Sequence, residues 1–320
     1  MPSAPIDVSI IVVSYNTLAL TRAALDSVVA QTHVARYEVI AVDNASADGS
    51  AGMIASHPIG ADLIRLDENI GFARANTLAA RRARGRYILL LNPDTVVLES
   101  AIDRLVAFAD CHPEARIWGG RTYFADGSLN PSSCWKRMTV WNLICRATGL
   151  TGLFPRIGAF NSEAYGGWAR HHPRHVDIVS GCFLLIDRPL WSALGGFDPI
   201  YFMYGEEADL CLRARALGAN PLITPSAQIV HYGGASEPAR AGKMVRLLAA
   251  KETLIERHWN PLLVPLGQAL LAAWPLTRML ALSTAAAITG LRKLFIAVLS
   301  PDRWGWAFYC FAARFCPLQR

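Results

Sequence analysis

Along the first third of the chain, short apolar runs alternate with segments whose apolar residues recur at helical spacing. VSIIVVS at Val8–Ser14 is a continuous β-branched run, the pattern of a parallel strand buried on both faces. Tyr15-Asn16-Thr17 breaks it, and Leu18, Leu25, Val28 and Val29 then mark a helix through Ala30. YEVIAV at Tyr37–Val42 predicts a second strand, closed by the turn cluster Asp43-Asn44-Ala45-Ser46. A helix around Ile54–Ala55, a strand at Leu63–Leu66 and an Ala- and Arg-rich helix at Phe72–Arg84 follow. Tyr87–Leu91 is a fourth strand, ended by Asn92-Pro93-Asp94, and Ser100 stands as N-cap of a helix to Cys111.

Strand alternating with helix across short turns predicts an α/β fold with a mainly parallel central sheet. Ligands of such sheets bind beyond the carboxyl ends of the strands. Asp43 and Asp94 each follow a strand end, so both are expected in one crevice. After Trp118 the regular alternation stops. Residues 121–175 carry Gly, Pro, Asn and aromatic residues with little periodicity, which predicts loops and short pieces built for recognition rather than for scaffold. A strand at Val176–Ile186 interrupted near Gly181, a helix at Glu206–Leu217, a short strand at Gln228–Val230 and a long helix at Ala239–His258 complete the reading.

Composition adds a division. The chain of 320 residues is 52% hydrophobic and 18% charged, and the second figure lies below the roughly 25% usual in soluble domains. The net charge of +6 is unevenly placed. Residues 240–320 hold eleven Lys/Arg against three Asp/Glu, an excess of +8, while residues 1–239 hold twenty against twenty-two, or −2. A catalytic domain over 1–238 and a helical, basic, apolar tail over 239–320 are therefore expected. A basic apolar tail suits an anionic membrane surface better than nucleic acid. Its uncharged stretch His258–Thr277 contains Pro261, Pro265 and Pro275, and Met279–Leu291 falls short of the ~20 residues a span needs. Helices lying in the membrane interface are expected, with a soluble cap or a homodimer surface as the other use of the apolar faces. The odd number of cysteines, seven, without C-x-x-C fits a reducing compartment and argues against a zinc ribbon or a disulfide framework. The N-terminus shows neither the basic nor the apolar region of a signal peptide.

Several pieces carry chemistry. A carboxylate on the turn Asn92-Pro93-Asp94 can hold Mg²⁺ or Mn²⁺, although Asp94 could equally form an Asx-turn. Asp43 can accept a hydrogen bond from a nucleobase imide or a ribose hydroxyl, or simply shape its turn. Gly71 with Arg74, at the start of a helix, is a candidate anion site. Glu206, Glu207 and Asp209 open another helix. Acids there suit the helix dipole, Asp209 and Arg213 form an i,i+4 pair, and one acid can serve as general base. His231 ends a short strand before Gly233-Gly234, where it can meet a metal or a diphosphate. Neither G-x-G-x-x-G nor G-x-x-x-x-G-K-[ST] follows the first strand, so dinucleotide and P-loop fingerprints are missing.

In this order, VSIIVVSYN, EVIAVDNASADGS, NIGFARANT, YILLLNPDT, VSGCFLLIDR, GGFDPIYFMYGEEADLCLRARALG and HYGGAS resemble glycosyltransferase family 2, in its bacterial rhamnosyltransferase-like branch. The resemblance spans roughly residues 6–237. It implies a GT-A fold and an inverting, metal-dependent transfer of one sugar from a nucleotide-sugar. By this likeness Ser14, Asn16, Asp43, Gly71, Arg74 and Asn92 would bind the donor, and Asp94 and His231 the metal. Glu207 would be the base with Glu206 as fallback, and Gly181 and Asp209 would lie on the acceptor side. The family's Glu-Asp pair is here Glu206-Glu207, a base one methylene longer. Q-x-x-R-W of processive members is not met, since Ser300 precedes Arg303-Trp304. The implied partners are a dTDP- or UDP-linked sugar, rhamnose first, and a saccharide or polyprenyl-diphosphate-linked acceptor at the cytoplasmic face of a bacterial inner membrane. Galactofuranose, mannose and glucose are the other sugars. A nucleotidyltransferase would want a basic glycine loop after the first strand, and none precedes Arg22. A nucleotide-sugar-binding protein without turnover has only the Glu-for-Asp change in its favour.

Overall fold

A computed structural model describes residues 5–233 and 240–288. Packing divides the chain into two units, Met1–Arg137 with Ala169–Ser236, and Met138–Trp168 with Glu237–Arg320. The first unit opens with β1 (Val8–Ser14), α1 (Leu18–Gln31), β2 (Tyr37–Asp43), α2 (Ser50–Ser56), β3 (Asp62–Arg65), α3 (Phe72–Ala80) and β4 (Tyr87–Leu91). These follow the alternation read from the sequence because each strand is apolar on both faces. Every residue of β1 and of β4 is buried. β5 (Thr95–Leu98), α4 (Ala101–Cys111) and β6 (Ile117–Tyr123) come next, then the short β7 (Leu129–Asn130) and β8 (Cys134–Trp135). Ser100 does not cap α4 through its side chain. It lies in the left-handed region at φ 56° and makes no capping hydrogen bond.

The second unit takes α5 (Val140–Ala147) and α6 (Leu150–Leu153) from the middle of the chain. The chain then returns to the first unit with β9 (Arg174–His175), β10 (Ile178–Val179), β11 (Phe183–Asp187), α7 (Arg188–Leu194), α8 (Glu206–Ala216) and β12 (Leu222–His231). The short strand expected at Gln228–Val230 is thus the end of a ten-residue strand. The sequence TPSA disguises it by interrupting the apolar run, and the register shifts there, between Ile223 and Gln228. Two helices, α9 (Arg240–His258) and α10 (Val264–Ile288), follow in the second unit.

The main sheet runs β3-β2-β1-β4-β11-β6-β12-β5, with β7 on β6 and β9 on β12. Its first four strands are parallel, with Ser14 in register with Asp43. β11 enters antiparallel between β4 and β6, and β12 runs parallel to β6. Ile10, Val12, Leu89 and Leu185 of the sheet pack with Leu25, Val28, Ile54, Ile102 and Leu105 of the helices into one core. Each such side chain contributes roughly 1.5–3 kcal/mol by leaving water. The parallel arrangement brings the ends of β1, β2 and β4 to one edge, where the candidate residues lie.

In the second unit, Leu143 of α5, Leu248 and Ile255 of α9, and Leu271 and Trp274 of α10 form a separate core. Part of the stretch 121–175 is therefore helical scaffold. Thr139 and Asn142 cap α5 reciprocally, at 3.3 and 2.7 Å. Among the described residues, no helix is long and apolar enough to cross a membrane.

Candidate active site

Asp43, the last residue of β2, is 3% exposed. Its Oδ2 accepts from the Ser46 amide at 3.2 Å, while Oδ1 is buried with no hydrogen-bond partner. The turn around it is tied by Asn44, whose Oδ1 accepts from the Ile70 amide and whose Nδ2 donates to Asn69 Oδ1. Asn16 holds the facing loop. It sits at φ 52°, and its Oδ1 accepts from the Ala47 amide at 2.8 Å.

Asp94 follows β4 and is 8% exposed. Its Oδ1 lies 3.2 Å from His231 Nε2, and its carbonyl accepts from the Tyr232 amide. This contact arises because β5 and β12 pair with His231 opposite Thr95. The Asp94 side chain therefore turns to His231, and it is Thr95 Oγ1 that closes the local turn by donating to the Asn92 carbonyl. Burial opposes a charge on His231, but the adjoining Cys182 and Asp94 outweigh it and push its pKa up to about 10. Asn92 Nδ2 lies 3.4 Å from His231 Nε2. Asn92 Oδ1 and His231 Nδ1 are both buried with no hydrogen-bond partner. Buried polar atoms of this kind are costly unless a ligand or water completes them.

The start of α8 supplies the acids. Glu206 is 4% exposed, and its Oε2 is buried with no hydrogen-bond partner. Burial, reinforced by the charge of Glu207, raises its pKa well above 4.5. Glu207 is less buried and faces Gly181, where an added Cβ would lie 3.6 Å from the Glu207 Cβ. Asp209 is fully buried and receives Arg213 Nε at 2.7 Å. The same guanidinium donates to the carbonyls of Leu194 and Gly196. Asp209 thus fixes the loop before α8.

Other candidates turn out to shape the site. The Ser14 hydroxyl is fully buried among those of Thr17 and Thr21, at 3.2 and 3.0 Å, so it ties β1 to α1. At the start of α3 three amides are already engaged. Ile70 donates to Asn44, Gly71 to Asn69 Oδ1, and Phe72 to the Phe202 carbonyl at 2.9 Å. Gly71 is required there, at φ 84°, since a Cβ would come 2.5 Å from that carbonyl oxygen. Arg74 is exposed, and its Nη2 reaches the Pro199 carbonyl at 3.5 Å. The sequence reading missed Asn69, Cys182 and Phe202. Asn44 and Asn69, each flanking a strand-end turn, were the available signal for the first.

The donor set of Asp94 carboxylate, Asn92 amide oxygen and His231 imidazole suits a hard divalent cation whose remaining ligands are phosphate and water. Among the described residues, no three His, Cys, Asp or Glu side chains gather into a metal cluster. A cation here would therefore depend on its substrate for ligands.

The family model described as Glycosyl transferase family 2 matches residues 9–163. The chain is similar to the O-antigen biosynthesis protein RfbC of Myxococcus xanthus, at 28% identity over 73% of this chain and 18% of that protein. It is similar to the N-acetylglucosaminyl-diphospho-decaprenol L-rhamnosyltransferase of Mycobacterium tuberculosis H37Rv, at 28% identity over 61% and 66%. The chain thus spans less than two thirds of the length of each of these two relatives. Its fold is that of the Pyrobaculum calidifontis mannosyltransferase PcManGT, solved with GDP-Man and Mn²⁺. The TM-score is 0.57 and the identity 19%, covering 98% of this chain and 86% of that one.

Proposed function

We propose that the chain, which the model of glycosyltransferase family 2 matches over residues 9–163, is a transferase of that family and moves a single sugar from a nucleotide-sugar to a hydroxyl of a saccharide or lipid-linked acceptor, inverting the anomeric centre. The observation that carries the reading is the convergence of unpartnered polar atoms on Asp43, Asn92 and His231 at one edge of the sheet, beside Asp94. Asp43 Oδ1 is set to accept the N3–H of uracil or thymine, which favours a UDP- or dTDP-linked donor. Rhamnose is favoured because the M. tuberculosis relative is a rhamnosyltransferase acting on a diphospho-decaprenol.

Asp94, with His231 and Asn92, would hold Mg²⁺ or Mn²⁺. Such an ion supplies charge stabilisation for a departing nucleoside diphosphate. Glu207, the less buried acid, takes the proton from the acceptor hydroxyl as its oxygen attacks the anomeric carbon. One displacement inverts the centre, so a single base suffices. Asp209 and Arg213 keep α8 and its preceding loop in place. A lipid-linked acceptor would lie at the cytoplasmic leaflet, where the basic tail is suited to bind.

The test is transfer from dTDP-rhamnose, UDP-sugars and GDP-sugars to a diphosphoprenyl saccharide with Mn²⁺ or Mg²⁺. Transfer from a pyrimidine donor is expected, with GDP bound more weakly than dTDP or UDP. Asp94→Ala should abolish turnover with the melting temperature retained. Near-normal, still metal-dependent turnover in that variant would refute the assignment of Asp94.

A further inference from the structure

The first unit contains a cation that the reading above does not use. Arg121 lies near the end of β6, beside Gln228 of β12. Its Nε is buried with no hydrogen-bond partner. Its guanidinium stacks on the Tyr123 ring, 5.0 Å from the centroid. Among the described residues, no carboxylate pairs with it. A half-buried guanidinium without a counter-ion is an expensive feature unless an anion completes it.

Its position says which anion. Side chains alternate along β6, so Arg121 shares a face with Gly119 and Tyr123, while Thr122 is turned to the other and buried. On Arg121's face, a Cβ at Gly119 would strike Val179 of β10 at 2.5 Å. β10 in turn meets α8, where Cys211 Sγ contacts the Val179 carbonyl. This is the side from which Glu207 approaches Gly181. Gly119 is opposite Leu184 in the antiparallel pairing of β6 with β11. Arg121, two residues further on, therefore lies toward the turn at 180–182 that carries Gly181. Cys182 of the same turn adjoins His231, so it is the face shared with Gly119, which meets Val179 and through it α8, that sets Arg121 with Glu207. Arg121 stands on the base's side, where the acceptor enters.

We infer that Arg121 is an anion-binding residue for the acceptor, receiving a phosphate oxygen of a diphosphate-linked saccharide. This rests on the transferase reading and adds the residue that selects a phosphorylated acceptor over a neutral one. Arginine suits the task, because its planar fork can give two parallel hydrogen bonds to one phosphate and stacking holds that plane in orientation.

The experiment compares wild type, Arg121→Gln and Arg121→Lys at saturating donor. One acceptor is a sugar joined by a diphosphate to a short prenyl chain, and the other is the methyl glycoside of the same sugar. Arg121→Gln should raise KM for the diphosphate acceptor by about 10- to 100-fold, leaving KM for the donor and for the methyl glycoside unchanged. Arg121→Lys, a point charge of similar reach, should recover part of the loss. Equal rises for both acceptors, or a rise in donor KM, would overturn the assignment. Calorimetric titration of the prenyl diphosphate alone, in chelator and without donor, decides the point independently of turnover. Binding that Arg121→Gln abolishes supports Arg121 even if no nucleotide-sugar is ever transferred, an outcome that would refute only the transferase reading. No binding to wild type, or equal binding to both, removes it.

Discussion

Glu206 and Glu207 are neighbours in sequence, yet the first turn of α8 gives them different surroundings. Glu206 is buried, whereas Glu207 is the less buried residue, with its Oε2 also inside the protein, and faces Gly181. Glu207→Gln should lower kcat by several orders of magnitude and leave donor binding largely intact, since it removes a proton acceptor and keeps the shape. If Glu206→Gln does this and Glu207→Gln does not, the roles are reversed. Glu206 also bears on stability. Its folded pKa lies well above 4.5, raised by burial and by Glu207. From pH 4.5 upward the folded state keeps a proton that the unfolded state has released, so stability falls as pH rises toward the folded pKa. Across that window the fall is about 1.4 kcal/mol for each pH step of one. Glu206→Gln carries no such loss, so its melting temperature should gain on wild type between pH 5 and pH 8. Parallel melting curves across that range would contradict the burial argument.

Between elements, the second unit is held by an ion-pair network that joins α5 to α9. Glu163 receives Arg146 Nε of α5 at 2.8 Å and Lys251 Nζ of α9 at 2.5 Å, and Arg146 also stacks on Trp274 of α10. Burial would raise the pKa of Glu163, but these two cations outweigh it and lower the value. The network's stabilisation is therefore present above the unfolded carboxylate pKa and is lost as pH falls through the lower folded value. Glu163→Ala leaves both cations without their partner and should cost about 3–5 kcal/mol, read by urea unfolding. A loss under about 1 kcal/mol would show that water replaces the carboxylate. Nothing in the sequence marks Glu163, because its partners are 17 and 88 residues away. Contacts that local pattern governs were legible: β1, β2 and β4 as apolar runs, and Asp43 and Asp94 at strand ends. The pairing of Asp94 with His231 depends on β5 lying against β12, and α8's acids become distinguishable only when packing buries Glu206 and Asp209 and leaves Glu207 less buried. The start of α3 depends on packing in the same way. Its glycine is there for the Phe202 carbonyl, a contact with a loop 131 residues later, from Gly71 to Phe202.

For the whole molecule, charge is the remaining asymmetry. Residues 240–320 carry the +8 excess, and those beyond Ile288, outside the described residues, include Arg292, Lys293, Arg303 and Arg314 among Trp304, Trp306, Phe308, Tyr309, Phe311 and Phe315. Aromatic and basic residues together are the composition of a segment that lies at a membrane interface. Each basic residue near an anionic surface adds about 1 kcal/mol, and this part is screened by salt, while burial of aromatic area is not. Full-length protein should co-sediment with anionic liposomes and be only partly released at high salt. A form ending at Ile288 keeps Leu271 and Trp274, the α10 members of the second core, so it tests the tail without removing that packing. It should remain mostly in the supernatant, whereas the quadruple variant with Arg292, Lys293, Arg303 and Arg314 changed to Gln should bind more weakly than the full chain at low salt and respond less to added salt. If the shortened form sediments as well as the full chain, residues beyond Ile288 are not the anchor. If neither sediments, the aromatic and basic residues serve a protein surface, and the oligomeric state of the full chain becomes the measurement that separates a second copy from an internal cover.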